Sequence, residues 1–173
     1  MVASRPTDSV VICHSERVQP VMTRSASCEL EPDRRVQLVR GDLMEPYFAA
    51  AVAMYTEELG EDPRRTNPVG YRSYVQGLLD SGRAFGIVED GVVLFKADVG
   101  AMSSAVAQIQ GVWVAPHQRG RGIAAPAIAA VTNMIVGSGR IASLYVNDFN
   151  APAVAAYRRA GYEQVDQFAT VLY

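Results

Sequence analysis

The stretch Gly111-Val-Trp-Val-Ala-Pro-His-Gln-Arg-Gly-Arg-Gly-Ile-Ala124 decides how the chain is read. A β-rich run from Gln108 to Val114 breaks at Pro116, crosses a basic, glycine-punctuated turn and enters an Ala/Ile-rich helix. Proline is tolerated only in the first helical turn, so Pro126 bars the helix from beginning much before Gly122. The backbone amides from Arg119 to Ala125 therefore lie at or before that turn, with few intrahelical acceptors. Gly120 and Gly122 let a ligand approach the backbone, and Arg119 and Arg121 can add charge-assisted contacts. Such a helix start attracts a phosphate group. Taken alone, it also fits a plain strand-to-helix connection with solvated arginines.

Outward from this turn, the pattern predicts a mixed α/β chain. Val36–Val39 reads as a short strand, Asp42 as a helix N-cap, and Leu43–Leu59 as a helix closed by Gly60. The segment 61–70, with Pro63 and Pro68, reads as a loop, and Tyr71–Leu79 as a second helix. Ala84–Glu89 and Val92–Asp98 flank Asp90-Gly91, a strong hairpin signal. Gly100–Ser104 reads as a turn and Ala105–Val114 as a long strand. After the helix Ile123–Val136 come a strand Ile141–Val146, a helix Ala151–Ala160 ended by Gly161, and two closing strands, Tyr162–Val165 and Phe168–Leu172. The expected order is an antiparallel meander followed by β-α-β-α-β-β around one core.

The 173 residues suit one domain, with a core drawn from 49% hydrophobic residues. Residues 1–33 are Ser-, Pro- and charge-rich and read as a poorly ordered segment with one strand-like patch at Val10–Cys13; the domain proper is expected at 34–173. A net charge of −2 argues against a general nucleic-acid grip. No apolar run approaches the ~20 residues that span a bilayer, and the N-terminus has no secretory pattern. Cys13 and Cys28 read as free thiols of a cytoplasmic protein. With His14 and His117 they make no metal site of recognised spacing. No Gly-Lys-Ser/Thr follows the glycines, which excludes a P-loop.

Arg119-Gly120-Arg121-Gly122-Ile123-Ala124 matches the pattern Arg/Gln-x-x-Gly-x-Gly/Ala, and Asn150, Ala153, Tyr157 and Gly161-Tyr162 form a second block. Together they resemble the GCN5-related N-acetyltransferase (GNAT) superfamily, over about four-fifths of the chain. Glu57-Glu58-Leu59-Gly60, Phe95-Lys96-Ala97-Asp98 and Leu144-Tyr145-Val146-Asn147-Asp148 resemble actinobacterial GNAT proteins whose acetyltransferase domain follows another N-terminal domain. The resemblance implies a mixed, mostly antiparallel sheet of six to seven strands flanked by about four helices. It also implies an acetyl-CoA-dependent N-acetyltransferase that acts without a metal on a primary amine, presented by a small molecule or a peptide. A homodimer is a common state in that family. A different class of function, an acyl-CoA-binding sensor or partner module with little or no turnover, stays open.

Residue by residue, the resemblance implies that the CoA pyrophosphate sits on the amides of Arg119, Gly120, Arg121, Gly122, Ile123, Ala124 and Ala125. The pantetheine arm would run along Val112, Trp113 and Val114, where the strand parts from Ile141–Val146 and a free N–H can bond the thioester carbonyl. Asn150 would contact CoA and also suits an N-cap. Tyr157 would donate to the leaving thiolate, as a phenol of pKa about 10 stays protonated at neutral pH. Asn147 and Asp148 fall beside the expected cleft. The general base is the gap, because Gln108 and Gln110 stand where a glutamate is common. Glu57, Glu58, Asp98, His117 and the terminal carboxylate of Tyr173 are the candidates, with a water relay as an alternative. Arg64 and Arg65 border the acceptor side and would suit an anionic substrate, or simply face solvent.

Overall fold

A computed structural model describes residues 15–172. Its seven strands are β1 (Ser15–Arg24), β2 (Gln37–Leu38), β3 (Ala84–Glu89), β4 (Val92–Met102), β5 (Val106–Val114), β6 (Ile141–Tyr145) and β7 (Glu163–Leu172). Its helices are α1 (Met44–Leu59), α2 (Pro63–Thr66), α3 (Pro68–Asp80), α4 (Ala124–Gly137) and α5 (Ala151–Arg159). The sheet order is β2-β3-β4-β5-β6-β1-β7, antiparallel except for the β5–β6 pair. One apolar cluster joins α1 and α3 to the sheet through Tyr47, Ala51, Val75 and Leu78. A second cluster joins α4 and α5 through Ile128, Val131, Ile135 and Tyr157. Covered by both helical layers, β4 is buried from Val93 to Val99, as expected of a strand with no solvent face.

The meander matches expectation. Asp90 (φ 49°) and Gly91 (φ 75°) form the two-residue turn between β3 and β4, and both need the left-handed region that this turn type demands. Gly60 ends α1 at φ 73°. Between residues 61 and 70 the structure differs from the expected loop. Asp62 and Asn67 accept the amides of Arg64 and Gly70, and Pro63 and Pro68 occupy first-turn positions. The two prolines therefore start helices here. Asp42 is not an N-cap: it sits inside a 3-10 turn, Gly41–Leu43, whose Leu43 amide bonds back to Arg40. Likewise β4 runs on through Gly100 to Met102, paired with Ala107, and the turn is held by Ser103 Oγ, which accepts the amides of Ala105 and Val106.

The largest departure is β1. Ser15–Arg24 belongs to the sheet, lying between β6 and β7, with Met22 in the core. The expected poorly ordered segment thus does not extend across 15–24. Pro20 makes this strand hard to read, since proline is usually excluded from inner strands. Here it falls where β1 has run past the β6 ladder, and only its carbonyl is used, by the amide of Val146. β1 also serves as the template that makes one continuous β7 from what read as two strands. Val10–Cys13, His14 and the Tyr173 carboxylate lie outside the described residues. Cys28 is a free thiol.

Candidate functional site

The β5–β6 ladder covers only Val106–Ile109 against Ile141–Leu144. Beyond Ile109, β5 keeps its partner β4 but leaves β6, so a split opens in the middle of the sheet along Val112, Trp113 and Val114. The cause lies in β5 itself. Gly111 has φ 56°, and the β4–β5 register shifts between Lys96 and Asp98, a bulge that bends the strand.

A buried polar cluster pins that bulge. The Lys96 ammonium donates to Asp98 Oδ2 (2.7 Å) and to the Gly111 carbonyl (2.9 Å), and the Tyr47 hydroxyl donates to Asp98 Oδ1 (2.5 Å). Residues 96 and 98 share a face by strand alternation, so the only lysine in the chain sits beside its counter-ion. The pair satisfies the conditions for a buried charge: a partner and further hydrogen bonds.

At the far end of β5, a 3-10 turn at Pro116–Gln118 leads through Gly120 (φ 73°) and Gly122 (φ 79°) into α4. The N-cap of α4, Ile123, gives no side-chain hydrogen bond. Among the described residues the amides of Gly122, Ile123, Ala124 and Ala125 have no protein acceptor. An uncapped helix start with positive-φ glycines beside it is a geometry suited to an anion. Arg119 differs from the expectation: its guanidinium turns back to Glu57 Oε2 (2.6 Å) and the Val114 carbonyl (2.9 Å). Arg121 is exposed at the turn and is the side chain left to meet an anion.

The helix α5 packs against α4. Asn150 caps α5, accepting the amide of Ala153 through Oδ1. Tyr157 is buried on its sheet side, and its hydroxyl has no hydrogen-bond partner among the described residues. Burial, and then the charge of Glu58, push its pKa up. The hydroxyl is therefore a donor held protonated.

The candidate bases now separate. Asp98 is committed to Lys96 and Tyr47. Both Glu57 oxygens are engaged, one by Trp113 Nε1 (3.2 Å) and one by Arg119. His117 is exposed on the 3-10 turn. Asn147 accepts from Gln19 of β1. Glu58 makes no hydrogen bond or ion pair among the described residues. Although exposed overall, the residue helps line a pocket of about 280 Å³, and desolvation raises its pKa against the opposing pull of Lys96. Gly111 of β5 and Tyr145 of β6 line the same pocket, so it opens onto the split. Neither Arg64, paired with Asp62, nor Arg65 lines it.

Sequence reading missed the rest of that wall: Tyr55 on α1, Tyr71 and Tyr74 on α3, and Tyr145 on β6. The spacing of Tyr71 and Tyr74 puts them on one helix face, which was a usable signal; their meeting with Tyr55 and Tyr145 is tertiary. Among the described residues no group of three His, Cys, Asp or Glu could hold a metal, and no helix is long and apolar enough to cross a membrane.

Residues 43–162 match the profile of the Acetyltransferase (GNAT) family. No curated protein matches the chain. Among solved structures, a GNAT-family acetyltransferase from Colwellia psychrerythraea superposes with a TM-score of 0.73 at 17% identity, covering 91% of this chain and 56% of the other. A GNAT-family protein from Novosphingobium aromaticivorans gives 0.68 at 19%, covering 91% and 64%. AAC(6')-Iy, solved with the bisubstrate analogue CoA-S-monomethyl-acetylneamine, gives 0.59 at 19%, covering 77% and 92%. The chain thus spans between half and two-thirds of the length of the first two.

Proposed function

Because the chain belongs to the Acetyltransferase (GNAT) family, we propose that it moves an acetyl group from acetyl-CoA to a primary amine by direct attack. One observation carries the reading: the Glu58 pocket opens onto the β5–β6 split, and the uncapped start of α4 lies at the far end of the same strand. The pyrophosphate would lie on the amides of Gly120 to Ala125 with Arg121 beside it, the expected Arg119 amide being taken by the Pro116 carbonyl, and the pantetheine arm along Val112–Val114. The proposed contact of Asn150 with CoA is compatible with its cap, which uses one lone pair of Oδ1.

The amine nitrogen attacks the thioester carbonyl carbon, and the resulting oxyanion takes a hydrogen bond from a backbone N–H of the split strand. Collapse breaks the C–S bond. Glu58 takes the proton that the nitrogen must lose, directly or through one water, and the Tyr157 hydroxyl donates to the departing sulfur. An alkyl thiol has a pKa of about 8.5, and the phenol is held above its own ordinary value. The balance favours a hydrogen bond that stabilises the thiolate over full proton transfer before departure.

The test separates cofactor from chemistry. Acetyl-CoA should raise the melting temperature by linkage, and thiol should be released when a suitable amine is added. Tyr157→Phe should cut kcat about 10–100-fold, a share of the general-acid contribution, while the acetyl-CoA shift stays. The sensor reading predicts the melting shift with no thiol release across a broad amine panel. No shift at millimolar acetyl-CoA would remove the cofactor assignment.

A further inference from the structure

The pocket that adjoins the split has a composition from which the acceptor can be narrowed. Tyr55 and Tyr71 meet edge-on with ring centroids 5.1 Å apart, and Tyr74 continues the set at 6.2 Å from Tyr71. Tyr145 faces the pocket from β6. Two of the hydroxyls are already used by the wall: that of Tyr71 donates to the Ala51 carbonyl (2.8 Å), and that of Tyr74 accepts from Gln110 Nε2 (2.6 Å). What these residues offer a guest is mainly ring surface, which suits an apolar or aromatic body and the flank of a cation.

The charges decide the rest. Asp98 is neutralised by Lys96, with both side chains buried. Among the described residues Glu58 is left as the single uncommitted carboxylate of the pocket, matched to one ammonium group. A second ammonium inside would have no counter-ion, and a desolvated charge without one is costly. A carboxylate on the guest would meet Glu58 with no free cation among the described lining residues, because Lys96 is already committed to Asp98 and Gly111. The volume of about 280 Å³ is just below the ~300–1,000 Å³ usual for small-molecule sites.

We propose that the acceptor is a small primary monoamine with an aromatic or aliphatic body and no carboxylate, an aralkylamine in the simplest case, seated among Tyr55, Tyr71, Tyr74 and Tyr145 with its nitrogen at Glu58. The inference rests on the acetyl-transfer reading. It separates this chain's acceptor from a polycation, an amino acid or a peptide N-terminus.

The experiment measures thiol release from acetyl-CoA with phenethylamine, phenylalanine, spermidine, an aminoglycoside and a short peptide bearing a free N-terminus. Phenethylamine binding is followed in parallel by calorimetry, with and without CoA. The expected result is kcat/KM for phenethylamine at least tenfold above every other acceptor. Tyr74→Ala should then raise its KM about tenfold while the melting shift with acetyl-CoA stays unchanged. Tyr74 and Tyr145 are 47% and 41% exposed, so truncating either leaves the core closed, and Tyr145→Ala gives an independent second reading. Equal or better turnover of spermidine, the peptide, phenylalanine or the aminoglycoside would overturn the assignment, as would an unchanged KM in both variants. Calorimetric binding of phenethylamine with no thiol release would uphold the pocket and sink acetyl transfer. Absence of both binding and turnover sinks the pocket assignment whatever acetyl-CoA does.

Discussion

Glu57 and Glu58 are neighbours in sequence and have opposite surroundings. Glu57 bridges Trp113 and Arg119 at the surface, where such an ion pair contributes about 0–1 kcal/mol, so its role is to hold Arg119 against β5. Glu58 has no such partner among the described residues, and its carboxyl is partly withdrawn from water within the field of Lys96. That setting gives it a pH signature. Desolvation raises its pKa above the ordinary glutamate value of about 4.3, with Lys96 pulling the other way. A base must be unprotonated to act, so turnover should rise with pH through that raised pKa and be lost below it. Glu58→Gln should remove this acidic limb and lower kcat about 10²–10⁴-fold, leaving the limb due to the amine's own ionisation. Glu57→Gln should keep both limbs. A Glu58→Gln profile that superposes on the parent's would rule Glu58 out as the base.

At the scale of the element, β5 works because it is not a regular strand. A Cβ at Gly111 would lie 2.6 Å from Asp98 Oδ2 and 3.0 Å from Lys96 Nζ, and the residue is in the left-handed region. Gly111→Ala thus combines a left-handed backbone cost of roughly 1–2 kcal/mol with overpacking of about 1–3 kcal/mol against a buried ion pair. Urea unfolding should register a loss of about 2–5 kcal/mol, and a loss under 1 kcal/mol would contradict this account of the bulge. The contrast with Asp90-Gly91 explains which parts of the chain could be read in advance. The hairpin, the start of α4 behind Pro126 and the Asn150 cap rest on neighbours in sequence, and each was legible. The Gly111 bulge rests on Lys96 and Asp98 across the ladder. The pocket draws on two helices and three strands, and Glu58 stands apart from the other candidate bases only once Asp98 and Glu57 have partners.

For the whole molecule, the part the sequence concealed is also the part that closes the sheet. The family match ends at residue 162 and starts at 43, so both β1 and β7 lie outside it. Within the described sheet β7 pairs only with β1, and β6 reaches β7 only through β1. The short apolar signal of 15–24, interrupted by Pro20, hid a strand whose pairing comes from the other end of the chain. Deleting residues 1–24 would therefore remove a strand from between two others, strip β7 of its ladder and open the core at Met22. Losing the buried Met22 side chain alone is expected to cost about 2–5 kcal/mol, comparable with the whole stability of many domains at about 5–15 kcal/mol. A chain beginning at Ser25 should thus show no cooperative thermal unfolding and elute as aggregate. A synthetic peptide covering 15–24, added during refolding, should restore both a melting transition and its shift with acetyl-CoA. If the truncated chain melts cooperatively at the parent's temperature, β1 is an ornament of the sheet and the domain begins after it.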